Sequence, residues 1–176
     1  AALFTVRGSG CTPSFTIFLV SQPGNGSMFR FDGLGRLTKY TLNTDNTYTA
    51  DPGYFETLVR QSSDTFVLTQ KDKTQFTFTS LPGGDAAVYR LTEIRDRNDD
   101  TVTLTYSAGN LISVPDTYGR AMRFTYDGYQ HIASETDPRR RITAFTYNST
   151  GSPLTHFTCP TAQNRTYTST PTPTLT

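Results

Sequence analysis

The chain has 176 residues, enough for one domain with its own core or for a slice of a larger repeat protein, but with only 35% of them hydrophobic the composition argues against a thick core. Sixteen basic and fifteen acidic residues, spread along the chain for a net charge of +1, form no electrostatic footprint for nucleic acid or an anionic membrane. No stretch approaches the roughly 20 apolar residues that a bilayer-spanning helix needs.

Ten Tyr, twelve Phe, thirteen Gly and frequent Thr suit half-buried strands joined by tight turns. Residues 1–27 read as an N-terminal strand and linker region in which Phe15–Val20 is the most apolar run. The opening, Ala1–Arg7, lacks a charged segment followed by a long apolar block, which suggests a mature terminus or an excised fragment. Residues 28–90 are strand-like but irregular. Phe29, Phe31, Leu37, Tyr40 and Leu42 flank a turn at Asp32-Gly33-Leu34-Gly35, and Asn43–Gly53 reads as turn, short strand and second turn. The cleanest hairpin joins Phe66–Thr69 to Gln75–Phe78 through Lys71-Asp72-Lys73, and Pro82–Asp85 closes the section.

From Leu91 the chain aligns with itself. A leading apolar residue (Leu91, Leu111, Ile132), a turn aspartate (Asp96, Asp116, Asp137) and a closing tyrosine (Tyr106, Tyr126, Tyr147) recur at spacings of 20 and 21 residues. The repeats are 91–110, 111–131 and 132–153, with a degenerate fourth from 154, and the array ends near 160. Val102, Leu104 and Tyr106 alternate with Thr, so each repeat reads as a β-hairpin. The turn aspartate can bond its own downstream backbone, and the residue three positions on needs a positive φ. Gly119 meets that need and Asp99 tolerates it; Arg140 does not, which predicts a differently built turn there. Asp127-Gly128 and Ser149-Thr150-Gly151 read as the turns linking one hairpin to the next. Residues 161–176 are rich in Thr and Pro and read as an extended arm. No segment has a capped 3.6-residue period, so helix should be negligible. The expected fold is all-β: tandem antiparallel hairpins forming a continuous twisted sheet.

These repeats resemble the tyrosine-aspartate (YD) repeats of the Rhs family, which also occur in toxin-complex cocoon proteins and teneurins. Asp116-Thr117-Tyr118-Gly119-Arg120 with Phe124-Thr125-Tyr126-Asp127 carries the likeness, with the parallel columns at Asp96, Tyr106, Asp137 and Tyr147. Tyr48–Leu58 and Leu68–Asp72 are similar to strands preceding such repeats, so the likeness spans about residues 28 to 160. It implies a β-sheet strip of the kind that spirals into a hollow shell. Three repeats are too few to close a shell, which makes unpaired strand edges the functional question.

No motif for catalysis appears. Gly8-Ser9-Gly10 and Gly33-Leu34-Gly35 lack the helix start and Lys-Ser/Thr of a phosphate loop, and Ser9, Cys11 and Ser14 lack a nucleophile context. His131 and His156, the only histidines, have no partner at metal-ligand spacing and read as strand or loop positions. The acids Asp96, Asp99, Asp100, Asp116, Asp127 and Asp137 fit turn stabilisation better than a calcium ladder, since the Gly-rich repeat of a calcium roll is absent. Arg139-Arg140-Arg141 reads as a solvated turn tip. Cys11 and Cys159 admit two readings, a disulfide in a secreted protein or two unrelated thiols. Asn25, Asn148 and Asn164 head sequons that matter only where secreted proteins are glycosylated. The leading expectation is a non-enzymatic, cofactor-free scaffold segment of a secreted or cell-surface protein. Its partners would be further repeats or other copies of itself, with no nucleic acid and no membrane span. The alternatives are a self-assembling extracellular filament and a glycan-binding adhesin that uses the Tyr column.

Overall fold

A computed structural model describes residues 17–32, 36–116, 118–148, 154–158 and 164–166. The protein is all-β, and no helix occurs among the described residues. Its strands are β1 (Phe18–Ser21), β2 (Met28–Phe31), β3 (Leu37–Leu42), β4 (Tyr48–Ala50), β5 (Thr57–Arg60), β6 (Thr65–Thr69), β7 (Gln75–Ser80) and β8 (Val88–Arg95). They continue with β9 (Thr101–Thr103), β10 (Thr105–Ser107), β11 (Asn110–Pro115), β12 (Ala121–Tyr126), β13 (Ile132–Thr136), β14 (Ile142–Tyr147), β15 (Leu154–Thr158) and β16 (Asn164–Thr166). The chain divides into two lobes at Gly119/Arg120.

The N-terminal lobe is built on an antiparallel sheet in the order β4-β3-β2-β1-β8-β7-β6-β5, with β9 added beside β8. β8 is long enough to serve two partners on one side: Val88–Arg90 pair with β1, and Glu93–Arg95 pair with β9. The strands at the two ends of that order, β4 and β5, are consecutive in the chain and approach within 8 Å without forming a ladder. The sheet therefore curls into a nearly closed barrel, with Tyr48 of β4 meeting Phe66 of β6 edge to face at 5.8 Å. Cross-strand partners share a face, so alternate residues point inward. Leu19, Met28, Tyr40, Leu58, Phe66, Leu68, Phe78 and Leu91 are all 2% exposed or less. Each such side chain contributes roughly 1.5–3 kcal/mol by leaving water. The low hydrophobic fraction points away from a thick core, and the barrel resolves the conflict by concentrating its apolar residues inside one lobe.

Residues 18–21, which the sequence reading sets apart in a region 1–27, form a central strand of this sheet between β2 and β8. The hairpin read at 66–78 is present as β6 and β7. The strand expected over 101–106 is divided at Leu104: β9 stays with β8, whereas β10 pairs with β11 through the two-residue turn Ala108-Gly109. Hydrogen bonding is thus shared between two sheets rather than running through one. Leu104 is buried, and its N–H donates to the Thr92 carbonyl at 2.8 Å, so the crossing point is anchored.

In the C-terminal lobe β12 through β16 form an antiparallel meander in chain order. Its described apolar core is small; Phe124 and Ile132 are its buried hydrophobic residues. Asn164–Thr166, expected to belong to an extended arm over 161–176, pair with β15 instead.

Candidate functional site

The repeated turns are the most highly constructed feature. At Asp96, Asp127 and Asp137 the aspartate N–H donates to the carbonyl four residues on, and the residue three positions on donates back to the aspartate carbonyl. Asp99, Gln130 and Arg140 occupy that third position with φ of 66°, 66° and 64°. Gly119 does so after Asp116, with φ 76°. The turns at Asn43 and Gln70 repeat the same backbone pattern with Asn46 and Lys73.

In the turns that open on an aspartate, its carboxylate adds bonds that support a residue other than glycine there. Asp137 Oδ1 accepts the Arg139 and Arg141 N–H groups at 2.8 and 2.9 Å, and Oδ2 meets the Arg141 guanidinium at 2.6 Å. Asp96 Oδ1 accepts from Asn98 and Asp100, and Asp116 Oδ1 accepts from Tyr118. Asp127 Oδ1 accepts from Tyr129 and His131, while Oδ2 lies 3.2 Å from the His131 ring. The turn at Arg140 therefore has the common geometry, contrary to the expectation of a different one. Its carboxylate bonds offset the cost of about 1–2 kcal/mol for an L residue in the left-handed region. The turn read at Asp127-Gly128 is present between β12 and β13, and Gln130 takes its positive φ.

The N–H donors of Arg141, helped by its guanidinium, hold the Asp137 carboxyl below the usual carboxylate range. Partial burial pushes Asp127 up, but hydrogen bonds from His131 and Tyr129 outweigh it and leave the group lowered. Burial, with Asp137 nearby, raises Glu135. Arg120 is exposed at the fourth position after Asp116, where His131 and Arg141 stand after Asp127 and Asp137.

The closing tyrosines and leading residues interlock. Tyr106, Tyr126 and Tyr147 stand opposite Leu111, Ile132 and Leu154, the leading residues of the following repeats. Directly after each of these lies one residue with no partner in the register: Ile112, Ala133 and Thr155. Thr92, after Leu91, is bulged in the same way against β7. Tyr106 donates its hydroxyl to the Leu91 carbonyl at 2.8 Å, and Tyr147 donates to the Ile132 carbonyl at 3.1 Å. Each of these two tyrosines thus faces the next repeat across the ladder while its hydroxyl holds the start of its own. Burial, followed by the Asp127 charge, raises the Tyr147 hydroxyl. The His131 ring stacks 4.7 Å from the Tyr147 ring, so His131 is half-buried at a repeat junction. The bulge column escapes sequence reading because the inserted residues, Thr, Ile, Ala and Thr, share no side-chain chemistry. Only the unequal strand lengths hint at it.

A second cluster, inside the barrel, is not signalled by any motif. Arg30 of β2 faces inward with Leu19 and Thr38, and its Nη1 pairs with Glu56 at 2.8 Å. Glu56 lies on the connection from β4 to β5 and also accepts the Tyr40 hydroxyl. Burial and the bond to Glu56 drive the Tyr40 hydroxyl far above its ordinary value. The cluster brings an acid, a base and a phenol together; Glu56 engages both Arg30 Nη1 and the Tyr40 hydroxyl, while Arg30 Nε is buried without a hydrogen-bond partner, and the contacts hold the β4–β5 connection over the barrel.

The remaining sequence-derived positions are scattered. Asn25 is exposed, and its Oδ1 accepts the Ser27 N–H at 3.0 Å. Asn148 is half-buried at the end of β14, and Asn164 opens β16. Cys11, Cys159, Gly8–Gly10 and Gly33–Gly35 lie outside the described residues, as does the His156 side chain. Among the described residues no three His, Cys, Asp or Glu side chains could hold a metal together, and no helix is long and apolar enough to cross a membrane. The chain matches no protein-family model, and no curated protein matches it.

Proposed function

We propose that this chain is a non-catalytic β-scaffold segment of a secreted or cell-surface protein of the YD-repeat kind, working through association of strand edges. The observation that supports the reading most is the tyrosine interlock. The same residue type, fifteen positions after the leading residue, donates to that residue's carbonyl in two different repeats. The bond fixes, within its own repeat, a tyrosine that stands across the ladder from the leading residue of the next repeat, which is how neighbours in a stack are joined.

The lobes differ in what they offer a partner. In the N-terminal lobe the two end strands of the main sheet, β4 and β5, approach one another within 8 Å, so neither is a fully open flank. In the C-terminal lobe β16 ends the meander, with β15 its only partner among the described residues. An edge of this kind accepts an added strand, from more of the same chain or from another copy. The second case would make the protein a filament subunit.

Light scattering after size exclusion, with hydrogen exchange across a dilution series, tests the proposal. Association with concentration should protect residues 164–166 before any N-terminal strand. A chain that stays monomeric at high concentration, with unchanged exchange at β16, would overturn edge association. Negative staining then separates discrete oligomers from filaments.

A further inference from the structure

The loop between β1 and β2 reads Gln22-Pro23-Gly24-Asn25-Gly26-Ser27, with asparagine directly before glycine. The Gln22 N–H closes it by donating to the Ser27 carbonyl at 2.7 Å. Ser27 is 2% exposed and its hydroxyl oxygen accepts the Leu42 N–H at 3.3 Å, so the end of the loop is fixed to β3. Asn25 and Gly26 are exposed at its tip.

Asn25 Oδ1 accepts the Ser27 N–H at 3.0 Å. Because that donor is a backbone N–H, the atom facing it must be the amide oxygen. Asn25 Nδ2 and the Gly26 N–H meet no protein acceptor among the described residues. Gly26 is held to its identity by packing. At φ 68°, with Leu42 Cδ2 2.7 Å from where a Cβ would stand, any other residue would be strained and would push Leu42 aside. The fold therefore keeps beside Asn25 the one residue that leaves the following amide nitrogen unshielded.

We propose that Asn25 is a self-modifying position, at which the Gly26 amide nitrogen attacks Asn25 Cγ and turns the asparagine into aspartate and isoaspartate. Hydroxide removes the Gly26 amide proton, the N–Cγ bond forms, and negative charge gathers on Oδ1. The Ser27 N–H already lies against that oxygen, on a buried residue, and stabilises the charge as it develops. Collapse of the intermediate breaks the Cγ–Nδ2 bond, and Nδ2 leaves as ammonia after taking a proton from water. Water then opens the five-membered imide at either carbonyl, so that in sum an amide and water become a carboxylate and ammonium. Opening at the former backbone carbonyl routes the main chain through the side chain and lengthens the loop by one methylene. Both products add a negative charge and lack the amide that a glycan at Asn25 would need.

Neighbouring candidates are protected. Asp127 also precedes a glycine, but its carboxylate accepts the Tyr129 and His131 N–H groups and is held ionised, which makes its Cγ a poor electrophile. Asn46 and Asn98 precede Thr47 and Asp99, whose side chains crowd the attacking nitrogen. The site is independent of edge association, and either can fail without the other.

The test holds the full chain near neutral pH and follows Asn25 by peptide mass spectrometry after digestion in acid, with isoaspartyl methyltransferase labelling to detect isoaspartate. A parallel sample is unfolded in guanidinium chloride. Asn25 should gain the mass of an amide becoming an acid, in proportion to hydroxide concentration and at least as fast folded as unfolded. Isoaspartate should accumulate with it, while Asn46 and Asn98 stay unchanged over the same interval. Asn25→Gln, which would have to close a six-membered ring, should show no gain. Slower conversion in the folded chain than in the unfolded one would overturn the proposal. So would aspartate formed without isoaspartate, equal conversion at Asn46 or Asn98, or a gain that survives Asn25→Gln.

Discussion

The turn at Arg140 offers a direct measurement of how much strain an aspartate clasp can sustain. Arg140 is exposed at φ 64°, a conformation that costs an L residue about 1–2 kcal/mol. Replacing it with glycine removes that cost, while the freer unfolded chain returns about 0.5–1 kcal/mol. Arg140→Gly should therefore stabilise the protein by about 0.5–1 kcal/mol, although glycine within a strand would cost a similar amount. Gly119 is the reciprocal case, with φ 76° and nothing within 4 Å of where a methyl group would stand. Gly119→Ala should lose about what Arg140→Gly gains. Urea unfolding followed by far-ultraviolet circular dichroism reads both, as midpoint shifts of about 0.3–0.5 M in opposite directions for a slope near 2 kcal/mol/M. A fall in the midpoint for Arg140→Gly, or no change for Gly119→Ala, would refute the view that conformation alone sets the cost at these sites.

Four further outcomes follow from the geometry. Tyr106→Phe and Tyr147→Phe should each cost about 1 kcal/mol, because Leu91 and Ile132 lose a donor. The two losses should add in the double variant, since the sites lie in different lobes. Glu56→Gln or Arg30→Met alone should cost about 3–5 kcal/mol by stranding a buried charge, whereas the double variant Arg30→Met/Glu56→Leu should recover most of it; chemical denaturation reads all three. Asp127 and Asp137 have folded pKa values below their unfolded ones, so their stabilisation is present above about pH 4 and fades as pH falls through the lowered values. Melting curves between pH 6 and 2 should show this loss, and Asp137→Ala should flatten it. Glu135 is raised instead, so its contribution is full at low pH and is lost as pH climbs past its ordinary value. Glu135→Gln should raise the melting temperature at pH 7 and leave it unchanged near pH 3.

Sequence reading reached the local features most fully because they are encoded locally. The Asp and Tyr columns are short-range signals: a carboxylate bonding two and four residues ahead, and a tyrosine paired across one turn. They were legible to within a residue or two. Arg140 departs from expectation because four contacts made by Asp137 stand against the intrinsic cost of positive φ there. Barrel closure and the Arg30–Glu56–Tyr40 cluster were not legible at all. Arg30 and Glu56 are 26 positions apart and meet only because the sheet curls, and no periodicity in 28–90 announces which arginine turns inward. The division at Leu104 was hidden for a related reason. Val102, Leu104 and Tyr106 keep an unbroken alternation, and only the bulge at Thr92 reveals where the ladder changes partner.

The bulge beside each leading residue bears on how such a chain can change length over evolutionary time. A repeat contributes two strands and one inserted residue, so removing or duplicating a whole repeat returns the chain to the same direction and the same face. Removing a single strand reverses the direction, and losing the bulge turns every following side chain over. Recombination that respects the spacing of 21 to 22 residues between Leu111, Ile132 and Leu154 should therefore preserve strand direction and face at its junctions, whereas the repeat from Leu91, shared between two sheets, is not interchangeable in this way. Natural forms of this array should differ by whole multiples of that length, with their breakpoints free to fall at any equivalent position along the repeat.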